Sequence, residues 1–128
     1  MSDILFPSGP WRGYFLDGRL QGRHKMDLSL EFGNGRITGE GRDRVGQFIV
    51  SGRYDSGGGE CHWTKTYVSS HDIYYVGCHQ GKNISGTWEL DSLRGGFKIW
   101  PVGSGTDEDD VKAEALEEPV DAVGVVIQ

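Results

Sequence analysis

The feature that most constrains the fold of this chain is a strict alternation of apolar and polar residues between positions 25 and 32. The apolar residues of this run are Met26, Leu28, Leu30 and Phe32. Because successive side chains of a β-strand point to opposite faces, a period of two predicts a strand with one buried face. Gly33-Asn34-Gly35 follows. Asn and Gly tolerate the positive φ of tight turns, so we expect a hairpin there.

Similar runs, separated by glycine-rich turns, continue along most of the chain. We predict eight strands, over residues 11–16, 25–32, 36–42, 47–54, 60–68, 71–79, 83–90 and 96–102. They recur at a spacing of roughly ten residues, with no helical periodicity between them. The pattern predicts an all-β fold, an eight-stranded antiparallel meander that closes into an up-and-down β-barrel.

The predicted inner face of this barrel is rich in glycine. An eight-stranded barrel has an interior that side chains just fill, or that holds one small ligand. We expect the inward glycines to leave space near Trp63 and Trp88, as in a ligand pocket; neighbouring aromatic side chains that fill this space are the alternative. The inward glycines are Gly13, Gly39, Gly41, Gly52 and Gly86.

The hairpin over residues 60–79 contains both cysteines. If Ser69-Ser70 is a two-residue turn, the predicted cross-strand pairs are Cys61 with Cys78, Trp63 with Val76, Lys65 with Tyr74, and Tyr67 with Asp72. We expect two facing free thiols, with a slightly tight disulfide as the alternative. The two Cys-His dipeptides do not predict a metal site, because each histidine points to the face opposite its neighbouring cysteine.

The acidity of the chain lies in its last segment. The net charge is −6, but residues 103–128 hold eight acidic residues against the single base Lys112, which leaves residues 1–102 at +1. We therefore predict a barrel domain over residues 1–102 and a solvated acidic tail over residues 103–128. Alternatively, Val125-Val126-Ile127 adds a strand to a barrel, its own or that of a neighbour. The charge balance argues against nucleic-acid binding.

Composition also bears on the cellular location. The sequence has no run of about 18 apolar residues, which argues against a membrane span. Residues 1–10 lack the basic and apolar regions of a secretory signal, and two cysteines do not make a disulfide framework. We therefore expect a cytoplasmic protein with no membrane partner.

Several short motifs together resemble the avidin and streptavidin family. Val50-Ser51-Gly52-Arg53-Tyr54-Asp55 is similar to the fourth strand of that family, and Trp63, Tyr67 and His71 recur at its spacing in the next hairpin. The stretch of residues 84–90, with Trp88, resembles its seventh strand. Gly9-Pro10-Trp11 and Ile37-Thr38-Gly39 are similar to its first and third strands. The resemblance covers most of residues 9–100 and implies a calycin-type barrel, a ligand site in the barrel mouth and assembly into a homo-oligomer.

The family's biotin-binding residues can be compared with this chain one by one. Its tryptophans on strands five and seven look matched by Trp63 and Trp88. Its polar biotin contacts fall instead on Gly13, Gly41, Asp43, Asp72 and Tyr74, and on or near Asp17, and a further tryptophan falls on or near Val76. A site that lacks the partners of its ligand's polar groups binds that ligand weakly. We therefore do not expect tight biotin binding.

The remaining side chains of this mouth suggest another ligand chemistry. The candidate ligand-binding residues are Asp17, Asp43, Lys65, Asp72, Tyr74, Trp63 and Trp88. Aromatic rings together with carboxylates suit a cationic or amphipathic small molecule or a short peptide. The sequence shows no catalytic triad and no phosphate-binding loop, so we expect a non-enzymatic binding module without a cofactor. The alternative is a structural or protein-interaction barrel with a packed interior, in which Asp43 caps a turn and Lys65 pairs with Asp72 at a solvated rim.

Overall fold

The computed structural model describes residues 6–68 and 70–103, which form a closed barrel of eight antiparallel strands. Each strand pairs with the one before and the one after it, and β8 pairs with β1. The strands are β1 (Gly9–Asp17), β2 (Leu20–Gly33), β3 (Arg36–Asp43), β4 (Gln47–Tyr54), β5 (Glu60–Tyr67), β6 (Asp72–Gln80), β7 (Asn83–Leu90) and β8 (Leu93–Pro101). The predicted up-and-down barrel is confirmed. Among the described residues, no helix is long and apolar enough to cross a membrane.

The strand boundaries follow the alternation of the sequence. β4 and β7 begin and end where they were predicted. β2 begins five residues earlier than predicted, because Leu20 pairs with Asp17 across a tight turn and the register shifts next to Asp17. Gly22, at φ 87°, and its polar neighbours conceal the period of two in this part of β2. Strand pairing in β2 therefore extends beyond the segment in which apolar and polar residues alternate.

The inner face of the barrel is filled by large side chains. Trp63 stacks on Tyr75 at 5.4 Å between ring centroids, and the edge of Phe97 contacts both rings. The buried apolar residues of β2, at positions 26, 28, 30 and 32, are those that the alternation places inside. The interior is thus an aromatic and aliphatic core that holds all eight strands.

One end of the barrel is closed by the segment that precedes β1. The ring of Phe6 is fully buried and lies 5.4 Å from Phe32, 4.7 Å from Tyr54 and 5.2 Å from His79, measured between ring centroids. The Ser8 hydroxyl accepts a hydrogen bond from the Phe32 backbone N–H at 2.9 Å. We call this the plugged end. The opposite end, formed by the connections β1–β2, β3–β4, β5–β6 and β7–β8, is called the loop end.

The inward glycines do not open space, contrary to the expectation from the sequence. A Cβ built on Gly13, Gly52 or Gly86 lies only 2.0–2.1 Å from a backbone carbonyl oxygen of the adjacent strand. The strands coil so strongly at these positions that only a residue without a side chain fits between them. The glycines therefore permit the curvature of the barrel rather than a cavity inside it.

The described barrel offers no free edge for an added strand, because each of its strands is paired on both sides. The hypothesis that Val125-Val126-Ile127 forms such a strand falls outside the described residues, as does the predicted acidic tail beyond Gly103.

The close approach at Gly52 makes a stability prediction. Gly52→Ala should lower the free energy of unfolding by about 1–3 kcal/mol or more, because the new methyl group meets the His62 carbonyl oxygen at 2.1 Å. Gly33→Ala is the matched control, since a Cβ there meets nothing within 4 Å. Urea denaturation of both variants checks the prediction. Equal stability of the two variants would contradict the steric role of Gly52.

Candidate functional site

The most unusual residue of the interior is Lys65, a charged side chain at an inward position of β5. It lies near the loop end and is 1% exposed. Its ammonium group donates a hydrogen bond to Asp43 Oδ2 at 2.7 Å, which makes a salt bridge between two buried side chains. The sequence identified both residues but did not predict their contact. The expectation that Lys65 pairs with Asp72 at a solvated rim is wrong.

Asp43 uses both of its carboxylate oxygens. Oδ1 accepts hydrogen bonds from the backbone N–H groups of Val45 and Gly46, at 2.9 and 3.4 Å. Oδ2 accepts from Lys65 Nζ and from the Tyr67 hydroxyl, the latter at 2.6 Å. The hypothesis that Asp43 caps the β3–β4 turn is confirmed. The same carboxylate also joins that turn to the barrel interior.

Four aromatic rings surround the Lys65 ammonium group. Nζ lies 4.8 Å from the ring centroid of Phe15, 4.7 Å from that of Phe48, 5.0 Å from that of Tyr67 and 4.9 Å from that of Tyr75. Met26 Sδ is 3.5 Å away. Ring faces attract a cation most strongly when water is excluded. We call these four aromatic residues with Asp43 and Met26 the lysine cage.

Burial determines the protonation of the groups in this cage. Loss of hydration lowers the pKa of Lys65 to about 8, and the nearby Asp43 carboxylate opposes the shift. Burial and the same carboxylate raise the pKa values of Tyr67 and Tyr75 above the usual tyrosine range. Both phenols are therefore neutral around pH 7, where Lys65 remains mostly charged.

The two predicted wall tryptophans are buried in the core rather than exposed in a mouth. Trp63 lies against Tyr75 and Phe97. Trp88 meets the edge of Phe15 at 6.4 Å and donates its indole N–H to the Leu16 carbonyl oxygen at 2.8 Å. The space expected beside them is thus occupied by aromatic rings, which is the alternative that the sequence left open.

Asp17 lies at the loop end and stabilises the β1–β2 turn. It accepts hydrogen bonds from the Arg19 side chain at 3.0 and 2.8 Å and from the Arg19 backbone N–H at 3.0 Å. The hydrogen bond with the Arg19 side chain is the main cause that lowers the pKa of Asp17. Within the described residues, all hydrogen bonds of this carboxylate are therefore made inside the β1–β2 turn.

Tyr74 and Asp72 are not in the interior, so their predicted place in the mouth is wrong. Trp63 pairs with Tyr75 and Lys65 with Ile73, one residue away from the predicted register. The pairing ends at Thr66 with Asp72, so an odd number of residues separates the last paired positions, whereas the predicted two-residue turn requires an even number. Because side chains alternate, a shift of one residue turns Tyr74 and Asp72 to the outer face and brings Ile73 and Tyr75 inside.

The same shift separates the two cysteines. Cys61 faces inward opposite Gly77, whereas Cys78 pairs with Glu60 on the other face of the sheet. Both thiols are free, as expected, but they do not face each other and do not form a disulfide. Burial raises the pKa of Cys61 to about 12, so this thiol is protonated at neutral pH. Within residues 6–68 and 70–103, no cluster of three metal-ligating side chains occurs.

Comparison with protein-family models and with curated protein sequences finds no match to this chain. An eight-stranded barrel by itself does not identify a family. The resemblance to avidin and streptavidin therefore stays a prediction.

Sequence reasoning missed most of the lysine cage. Phe15, Met26, Phe48 and Tyr75 are not among the candidate ligand-binding residues that the sequence indicates. One available signal was Lys65 itself, which interrupts the apolar alternation of Cys61, Trp63 and Tyr67 along β5. A charged residue at an inward position requires a buried partner of opposite charge.

Asp43 and Asp72, which the sequence predicted to lie together in the barrel mouth, should differ sharply in their contribution to the free energy of unfolding. Asp43→Ala leaves the buried ammonium group of Lys65 without its carboxylate and should cost about 3–5 kcal/mol of unfolding free energy. Asp72→Ala, at an exposed outer position, should change it by less than about 0.5 kcal/mol. Guanidinium denaturation at pH 7 measures both. Similar losses for the two variants would contradict the buried pair.

The lowered pKa of Lys65 makes a pH prediction. Between pH 8 and about 10.4, the unfolded chain holds a proton on Lys65 that the folded chain has released. The burial penalty is therefore complete below pH 8 and is relieved as the pH rises. Relative to Lys65→Met, the wild-type free energy of unfolding should rise by up to about 1.4 kcal/mol per pH unit in this window. A difference that stays flat from pH 7 to pH 10 would contradict the lowered pKa.

Proposed function

We propose that this protein is a non-enzymatic protein-interaction module, with a packed barrel interior as the scaffold and an outer face as the contact surface. The observation that carries the proposal is where large apolar side chains are exposed. Ile49, Tyr74 and Val76 are 54%, 59% and 58% exposed; Ile49 lies on the outer side of β4, and the other two lie on the outer side of β6, the second strand along. Exposed apolar side chains that cluster on a folded protein mark interaction sites.

This contact surface, called the β4–β6 face, has an uncharged centre. Ile49 pairs with Thr66, Ser51 with Thr64, and Thr64 with Tyr74 across the three strands. The outer positions of β2 and β3 are different in kind. They alternate in charge, with Asp27 paired to Arg42 and the neighbouring residues Lys25, Glu31, Arg36 and Glu40. The outer side of β2 and β3 is thus charged, whereas the centre of the β4–β6 face is apolar and rich in hydroxyl groups.

The state of the interior also supports a scaffold role. Lys65 already pairs with Asp43, the buried carboxylate that was a candidate to hold a cationic ligand, and four aromatic rings surround its ammonium group. A small molecule that enters the cage has to displace the ammonium group and leave one buried charge unpaired. The small-molecule or peptide site in the mouth stays a prediction, and the filled interior makes it the less supported of the two functions.

A ligand screen tests the proposal. Biotin, tetramethylammonium and phenethylamine, each at millimolar concentration, should leave the melting temperature of the protein unchanged, because a ligand stabilises a fold only where it has a site. Native mass spectrometry of the purified protein should show no retained small molecule. A thermal shift of several degrees that Trp88→Phe abolishes would overturn the proposal in favour of ligand binding in the barrel.

A further inference from the structure

One tryptophan on the outside of the barrel is removed from water. Trp100 pairs with Arg12 across the β8–β1 seam, so its side chain lies on the outer side of the sheet, whereas Ile99 beside it points inward. Trp100 is nevertheless only 1% exposed, and it does not belong to the interior core. An outward ring on a single sheet is buried to this extent only where a further segment lies over it. The outer side of β8 therefore has an occupant.

The described neighbours of this ring lie beside it rather than over it. Among the described residues, its ring contact is with Tyr14, the next outward residue of β1, at 6.1 Å between centroids. The indole N–H of Trp100 is buried and has no hydrogen-bond acceptor within that part of the chain. A buried donor without an acceptor is costly, so we expect an occupant that brings acceptor groups, such as carboxylates.

The side chains around Trp100 are mostly basic. Four bases stand against the single acid Asp27, which gives a net charge of +3, and Asp27 is already paired with Arg12 at 3.4 Å. We call the outward residues of β2, β1 and β8 in this region the basic face. Its first row is Asp27, Arg12 and Trp100, its second row is Lys25, Tyr14 and Lys98, and its third row is Arg23 and Leu16.

The positions that flank the basic face do not cancel its charge. On β7 the outward residues next to it, Ser85 and Thr87, are uncharged, and Glu89 is held by Arg94 on its own hairpin at 3.1 Å. Lys98 is partly exposed and makes no ion pair or hydrogen bond with the described residues. The basic face is therefore complementary to a segment of negative charge.

The chain itself has such a segment next to this face. β8 leads out of the basic face, and the described chain ends at Gly103, three residues after Trp100. The chain turns at Val102 and Gly103, where Gly103 has φ 76°, and the Val102 backbone N–H donates to the Pro10 carbonyl oxygen at 3.0 Å. Residues 104–128 contain eight acids against one base, and the first four acids are consecutive at residues 107–110.

We propose that this acidic run, residues 107–110, binds the basic face of its own barrel and covers Trp100. The outer side of β8 is the one side open to it, because both edges of β8 are paired and Phe97 and Ile99 fill the inner side. The solvated tail predicted from the sequence is thus replaced, for its first acidic run, by a segment that contacts the barrel.

The distances allow this contact. A strand rises about 3.3 Å per residue, so an extended chain that turns back at Gly103 carries residues 107–110 to about 13–23 Å from it. Lys98 lies five residues before Gly103, about 17 Å along β8. The acids of the run therefore reach the row of Lys98, Tyr14 and Lys25. The three residues between Gly103 and the run, Ser104-Gly105-Thr106, are uncharged.

The short connection also explains why the occupant belongs to the same chain. Exposed ion pairs contribute little individually and are screened by salt. A tether of a few residues gives the acidic run an effective concentration in the millimolar range near the face, so weak contacts suffice to hold it. An acidic partner in solution has to compete with this concentration.

Cross-linking of the full-length chain tests the contact directly. A water-soluble carbodiimide joins a lysine amine to a carboxylate only where the two touch. Mass spectrometry after digestion should find Lys98 joined to an acid of residues 107–110. In an equal mixture of ¹⁴N- and ¹⁵N-labelled chains, both halves of each joined peptide should carry the same isotope, because the contact lies within one chain.

Hydrogen exchange of the Trp100 indole N–H, measured by NMR and assigned with Trp100→Phe, tests the cover. Neutralisation of the run by Asp107→Asn, Glu108→Gln, Asp109→Asn and Asp110→Asn should speed this exchange at least tenfold, as should Lys98→Glu or 1 M NaCl. Two controls should leave the exchange unchanged. One is the neutralisation of Glu114, Glu117 and Glu118 to Gln, and the other is Arg53→Glu on the outer side of β4, across the barrel from β8.

The opposite results would overturn the proposal. Joined peptides of mixed isotope would assign the face to the tail of a second copy, and absence of any link from Lys98 to residues 107–110 would remove the contact. Exchange that ignores the neutralised run would assign the cover of Trp100 to another segment, such as residues 1–5. All of these variants except the Arg53→Glu control lie outside the β4–β6 face, so these results and the test of the interaction module are distinguishable.

Discussion

The loop end of this barrel is organised by the burial of one ammonium group. Removal of a lysine side chain from water carries a desolvation penalty of several kcal/mol, and the barrel offsets it with the Asp43 carboxylate and the faces of four aromatic rings. Because Asp43 also accepts hydrogen bonds from Val45 and Gly46, the conformation of a surface turn depends on the same carboxylate as the interior. Two of the candidate ligand-binding residues, Asp43 and Lys65, are in this way committed to the stability of the fold.

The alternation of the sequence was sufficient to predict the fold and most of the inner face. It predicted the bounds of β4 and β7 and the buried positions of β2, because these strands bury one face and expose the other. It did not predict the register between β5 and β6. That register depends on whether an odd or an even number of residues joins the last paired positions of the two strands, and neither Ser69 nor Ser70 determines which.

The candidate site was predicted only in part, for two physical reasons. Asp43 and Lys65 were both identified as candidate residues of the barrel mouth, but their contact joins residues far apart in sequence and requires the curvature of the closed sheet. Tyr74 and Tyr75 are neighbours of equal β-propensity, so only the strand register decides which ring meets the ammonium group. Phe6 gave no signal at all, because a single aromatic residue before the first alternating run has no period.

The pairing of β8 with β1 has a consequence for how this chain is made. Trp11 on β1 pairs with Pro101 on β8, so the two strands that close the barrel are separated in sequence by almost the whole barrel domain. During synthesis, β1 through β7 can form hairpin after hairpin, but they remain an open, curled sheet with two free edges until β8 has left the ribosome. Contacts between such distant segments form slowly. The nascent chain therefore presents exposed edges for most of its synthesis, and protection from aggregation comes only with the last strand.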